Sequence, residues 1–322
     1  MTAHKLNDKR GTLLNWFGAK TRKNEVIGVE FTADGVAFAY IQRPATQEPR
    51  LVHCEFLSSE NSDNTAELLR NRLAKLNLQD VPCNMVMSSG NYQLILGEAP
   101  KVPAEELAEA LRWKIKDLIQ FPVADAVINA FLLPEDSVSG GNRLAYAAVA
   151  QRNIVLDMIA QAKVAQLKLQ AIDIPELVMR NLAQTCCDTQ RGIALIQLSK
   201  GEGNLQIIRD NKVYLLRHFA LPYEGGLRDE VPAEALVLEL QRSLDYFERQ
   251  MRQVPPSNVI IYGENVTAEK ITSEIRESLS VSIDVLDVHT GLQVSHNVQE
   301  HTFSYCLLAV GAALRQESVG VA

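Results

Sequence analysis

The chain has 322 residues, room for two lobes or one domain with insertions, and its 47% hydrophobic and 22% charged residues are those of a folded chain rather than a disordered one. Its 32 Lys and Arg against 39 Asp and Glu give a formal net charge of −7, and no basic stretch interleaves with aromatics, so composition speaks against a nucleic-acid partner. Cysteines at 54, 83, 186, 187 and 306 lack CxxC or Cys/His metal spacing and read as reduced thiols; Met1 to Lys9 is polar with no secretory apolar run behind it, and the most apolar stretch, Tyr305 to Leu314, falls short of the roughly 20 residues a bilayer requires.

Residues 1–24 read as a tail in which Leu13, Leu14, Trp16 and Phe17 form an apolar cluster among Lys and Arg, suited to an anionic membrane surface or to packing on the body. Residues 25–99 form a first-lobe subdomain. It opens with a hairpin, Val26 to Thr32 and Val36 to Gln42 around Ala33-Asp34-Gly35, followed by a strand at Arg50 to Leu57, a helix at Thr65 to Leu76, and strands at Pro82 to Met87 and Tyr92 to Leu96. Residues 100–170 are predicted as an inserted αββα subdomain. Leu107, Leu111, Ile115 and Leu118 mark a helix that Phe121-Pro122 ends, strands follow at Val127 to Leu132 and Arg143 to Ala150, and a helix at Asn153 to Leu167 closes the unit.

Residues 171–191 return to the first lobe through a strand at Leu169 to Ile174 and a helix at Pro175 to Thr185. A second lobe occupies 192–302. Strands at Ile193 to Leu198, Asn204 to Arg209 and Val213 to Phe219 precede a helix from Pro232 to about Arg252; a strand at Asn258 to Tyr262, a helix at Val266 to Leu279 and a strand at Val281 to Leu286 complete it. Residues 303–322 are a closing helix, Phe303 to Arg315, and a tail. Three strands before a helix occur near residue 26 and again near residue 193. That duplication, with an insertion in the first half, describes an actin-like α/β architecture of two lobes facing across a cleft.

Three stretches also carry a family resemblance: Leu111 to Val127, with the Phe121-Pro122 turn and Asp125 after it; Gln241 to Phe247; and Leu307 to Arg315. They resemble the insertion helix, second-lobe helix and closing helix of PilM-type type IV pilus assembly proteins, nearest the MshI type of mannose-sensitive haemagglutinin (MSHA) pili. The resemblance implies an actin-like fold of the ASKHA class, FtsA/PilM-type, whose inserted subdomain replaces the usual one. It further implies a cytoplasmic scaffold under the inner membrane that holds the short tail of a single-span PilN-like partner in a groove between the first subdomain and the insertion, and that couples the pilus platform to its assembly ATPase. Expected lining residues are Tyr92, Leu94, Trp113 and Phe121, although Trp113 reads equally well as core.

Actin-like ATPases hold Mg-ATP between their lobes, with glycine turns giving backbone amides to phosphate and acids organising the metal's waters. The matching first-lobe turn here carries Glu30 at the acidic position and Thr32 at the glycine position, with Gly35 displaced. The second-lobe turn carries Gln197 and Ser199 in the corresponding places, and the adenosine turn holds Gly263 alone. The expectation is weak or absent Mg-ATP binding, no catalytic residue, no metal and no cofactor, with an ATP- and Mg-dependent nucleotide switch as the alternative. His296 and His301 lack a Cys or carboxylate partner in sequence, and no Walker A, GxSxG or Rossmann motif occurs.

Overall fold

A computed structural model describes residues 24–59, 64–137, 143–263, 265–271, 273–279, 281–298 and 300–316; the apolar cluster of the 1–24 tail lies outside them. In chain order the elements are β1 (Glu25–Thr32), β2 (Gly35–Gln42), β3 (Arg50–Ser58), α1 (Thr65–Lys75), β4 (Pro82–Val86), β5 (Tyr92–Glu98), α2 (Leu107–Ile115), β6 (Ala126–Leu132), β7 (Leu144–Gln151), α3 (Arg152–Val164) and β8 (Lys168–Asp173). They continue with α4 (Pro175–Cys186), β9 (Ile193–Ser199), β10 (Glu202–Arg209), β11 (Lys212–Ala220), α5 (Ala233–Asp245), β12 (Asn258–Gly263), α6 (Ser273–Glu277), β13 (Ser282–Val285), β14 (Gln293–Val294) and α7 (Glu300–Ala313).

The duplication is explicit in strand pairing. One sheet runs β14-β3-β2-β1-β4-β8 and the other β11-β10-β9-β12-β13. In each, three consecutive antiparallel strands are extended by two parallel ones: β4 joins β1 and β8 joins β4, just as β12 joins β9 and β13 joins β12. Parallel strands need helical crossovers that cover the sheet, so β1 and β9, each with a parallel neighbour, are buried along consecutive residues rather than alternately.

On β1, Ile27 and Val29 face the cluster formed with Leu69 and Leu73 of α1 and Ala162 of α3, while Val26 faces the cluster of α4 and α7. Gly28 lets α7 lie directly on the sheet. A Cβ there would stand 1.8 Å from the Ala309 carbonyl oxygen. Asn84 of β4 ties the same helix down, its Nδ2 donating to the Ala312 carbonyl at 3.0 Å.

The insertion differs from the expected αββα unit because β5 belongs to it. β5 pairs with β7 in a separate three-stranded sheet, β5-β7-β6, and not with the first-lobe sheet. Ile95 of β5 packs in the cluster of α2 and Leu94 in that of the second lobe, while Tyr92 at its start packs against the first-lobe cluster. β8, by contrast, sits beside β4, so the chain is back in the first-lobe sheet by Lys168.

The predicted helix at 266–279 is not continuous. A single 3-10 turn at Ala268–Lys270 precedes α6, which spans only Ser273–Glu277. The helix expected to reach Arg252 gives way after α5 to a π turn, Tyr246–Gln250, that brings Phe247 into the second-lobe core. Within the range assigned to the second lobe, β14 instead pairs with β3 at the edge of the first-lobe sheet. Among the described residues no helix is long and apolar enough to cross a membrane.

Candidate functional site

Two places in this framework bear on function: the seam between the lobes, where a nucleotide cleft was expected, and a groove between the first lobe and the insertion.

At the seam, Gln197 of β9 stands in register with Tyr262 of β12. Beside them lies a cavity of about 10 Å³ lined by Pro175, Glu176, Gln197, Asn204, His218 and Tyr262, scarcely enough for one water. Glu30 belongs to the same region. Burial raises its carboxyl to about 7, and its charge in turn works with burial and Glu176 to hold the Tyr262 phenol protonated.

The predicted phosphate-turn residues are occupied with local structure. Gly35 has φ +154°, and a Cβ there would lie 2.1 Å from the Leu57 carbonyl oxygen, so this glycine serves the close approach of β2 to β3. Gly263, at φ +157°, does the same against β9, where a Cβ would lie 2.2 Å from the Leu198 carbonyl oxygen. Thr32 donates its hydroxyl to the Gly35 carbonyl at 3.3 Å, and Ser199 donates to Glu202 at 3.4 Å. Side chains at these positions do not match Mg-ATP: Gln197 has no negative charge, and Glu30 has an environment that favours its neutral form. Among the described residues no group of three His, Cys, Asp or Glu could hold a metal ion.

The seam is joined instead by a polar cluster not anticipated from the sequence. Glu176, on the first turn of α4, is buried; it accepts a 2.6 Å hydrogen bond from the Tyr92 hydroxyl of the insertion and lies 3.3 Å from Nε2 of His218 on β11. The hydrogen bond to Glu176 raises the His218 pKa, with burial opposing it. In sequence Glu176 looks like any acid complementing a helix dipole.

A second junction holds the insertion against the second lobe. Tyr146 of β7 both accepts from the Leu216 amide at 3.1 Å and donates to the Leu216 carbonyl at 3.4 Å. Asp136 receives Arg209 at 2.7 Å and the Tyr214 hydroxyl at 2.9 Å. The lobes and the insertion thus meet through ordered contacts.

The groove is much larger, about 400 Å³. One wall comes from the insertion, with Tyr92, Phe131 and Ala148; the other comes from the first lobe, with Ile172, Leu177 and Arg180. Both β6 and β8 are terminal strands of their sheets and contribute to it.

Of the four residues expected at a partner groove, Tyr92 lines this one. Leu94 faces the second-lobe core. Trp113 is 67% exposed on α2, neither core nor groove, because Leu107, Leu111 and Ile115 are the face that α2 turns to the sheet. Phe121 borders a separate depression of about 410 Å³ with Arg152 and Leu156. The β6 and β8 residues that line this groove read in sequence as ordinary strand positions.

No family model matches the chain, and no curated protein matches it. Among solved structures it is similar to one titled the PilM–PilN type IV pilus biogenesis complex, at 16% identity and a TM-score of 0.67, over 90% of this chain and 97% of the other. It is also similar to the cytoplasmic domain of EpsL, an inner membrane component of the type II secretion system of Vibrio cholerae, at 10% identity and a TM-score of 0.50, over 91% and 96% of the two chains. With the duplicated sheets, these likenesses establish an actin-like fold carrying an inserted subdomain.

Proposed function

We propose that this chain is a non-catalytic scaffold of a type IV pilus assembly platform, of the MshI-like kind, which holds the cytoplasmic tail of a PilN-like single-span protein in the groove between its first lobe and insertion. The observation that carries this reading is the contrast in available space. The groove offers about 400 Å³ between partly apolar walls, whereas the cavity beside Gln197 and Tyr262 at the seam offers about 10 Å³. The likeness to the PilM–PilN complex over nearly the whole chain supports the same choice.

An extended tail suits this groove for two reasons. The terminal strands β6 and β8 have backbone donors and acceptors free of strand partners along one edge, and apolar side chains between them can receive alternate residues of the tail. Attachment through such a tail would place the scaffold at the cytoplasmic face of the inner membrane. The assembly ATPase is a further partner in this reading, and neither Mg-ATP nor another cofactor is needed for the docking step.

The test is co-purification of the chain with the single-span protein of the pilus platform, before and after Ala148→Trp. Ala148 lines the groove, so an indole there should abolish capture while the far-ultraviolet circular dichroism and Tm are retained. Undiminished capture by the folded variant would refute the placement.

A further inference from the structure

The groove has a charged end whose chemistry limits what can occupy it. Asp173, Arg180 and Arg315 all line it. Asp173 is already committed: both of its oxygens accept from Nη1 of Arg315, at 2.6 and 2.5 Å. Glu176, the nearest other acid along α4, is turned to Tyr92 and His218 at the seam.

Arg180 is held in place but not satisfied. Its Nη2 donates to Oδ1 of Asn181 at 2.9 Å, and Asn181 is itself fixed by donating to the Gly311 carbonyl of α7 at 3.3 Å. Its Nε is buried and has no hydrogen-bond partner among the described residues. Burial disfavours the guanidinium charge and Arg315 adds to that effect, while Asp173 opposes it. A guanidinium that lines the groove, is held in place, is short of an acceptor and stands beside a second arginine is suited to receive a carboxylate.

We infer that Arg180 selects the groove's occupant, an extended peptide tail bearing an Asp or Glu side chain that pairs with this guanidinium. The inference rests on the reading of the groove as a tail-binding site and adds the chemistry of its ligand. Apolar residues of the tail supply contact with Phe131 and Leu177, but those contacts suit many sequences; the acid discriminates among them.

The probe is an array of ten-residue peptides with apolar residues at alternating positions and Asp, Asn, Ser or Lys at the others. The wild-type chain should retain Asp-containing members at least about tenfold better than their Asn counterparts, a gap of about 1.4 kcal/mol. Arg180→Gln should remove that preference, and Arg180→Lys should keep part of it, each variant being checked for an unchanged Tm.

If Ala148→Trp abolishes all retention yet Arg180→Gln leaves the preference for Asp intact, the inference falls and the groove stands. If Ala148→Trp leaves retention unchanged, the groove reading falls and takes the inference with it. Retention of no member above the Lys-containing peptides overturns the inference as well.

Discussion

The Tyr92 hydroxyl donates to the Glu176 carboxylate at 2.6 Å, so a strand of the insertion is fastened to the first turn of a first-lobe helix. His218 approaches the same carboxylate from the second lobe, which makes Glu176 the point where three parts of the molecule share one charge. Burial, with Glu176 adding to it, raises the pKa of Tyr92, so the phenol stays a donor throughout the physiological range.

Tyr92→Phe deletes a hydrogen bond to a buried carboxylate and should cost about 1.5–3 kcal/mol, read as a lower urea midpoint with an unchanged m-value. Glu176→Gln should return His218 toward the ordinary 6.5, followed by NMR titration of its ring. Because the folded His218 is raised, its pairing contributes stability below about pH 6.5 that is lost as pH climbs through the raised value. An unchanged His218 titration in Glu176→Gln would show that another group sets it.

Glu30 predicts a pH dependence of its own. Its folded value of about 7 lies above the ordinary 4.5, so the unfolded chain gives up this proton first, and stability falls as pH rises from about 4.5 to about 7. Glu30→Gln should remove that slope and stabilise the chain at pH 8 by up to about 3 kcal/mol relative to the parent. Parallel stability curves for parent and variant would count against the burial of this carboxyl.

Gly28→Ala tests the contact of α7 with β1. The added methyl would meet the backbone of Ala309 and could not be relieved by rotating a side chain. A loss of about 3 kcal/mol or more is expected, measured by chemical denaturation. Gly90→Ala is the control, since a Cβ there has nothing within 4 Å.

Isothermal calorimetry with Mg-ATP should give no binding heat at millimolar nucleotide, for the parent and for Gln197→Asp alike. Restoring a carboxylate there leaves the turns held by the Gly35 and Gly263 close approaches and the adjoining cavity at about 10 Å³. Micromolar affinity in the parent would overturn the proposal that the seam holds no nucleotide.

The lobes were legible in the sequence because their strands are long apolar runs ended by Gly and Asp turns, as at Ala33 to Gly35 and at Asp210-Asn211, where both residues adopt positive φ. The family resemblance rested instead on helical stretches, Leu111 to Val127, Gln241 to Phe247 and Leu307 to Arg315. β14 was not legible: Gln293 and Val294 form a strand only because β3 supplies its partner. Tyr92 was placed at the partner groove, but Leu94 two residues on lies along the same strand and packs against the other lobe. A local pattern shows which face of a strand is apolar without showing which body will cover it. The charged end of the groove combines β8, α4 and the end of α7, segments far apart in sequence, and no spacing rule joins Asp173, Arg180 and Arg315.

The return of the chain through β14 and α7 also dictates an order of assembly. The first lobe's strands leave the ribosome early, yet the helix that covers β1 and β4, and fills the space that Gly28 leaves open, is among the last described segments to emerge. During synthesis that sheet face waits, apolar and uncovered, while the insertion and the entire second lobe are made. The half begun first is therefore completed last, and a nascent chain halted before residue 300 would expose a sticky surface suited to chaperone capture.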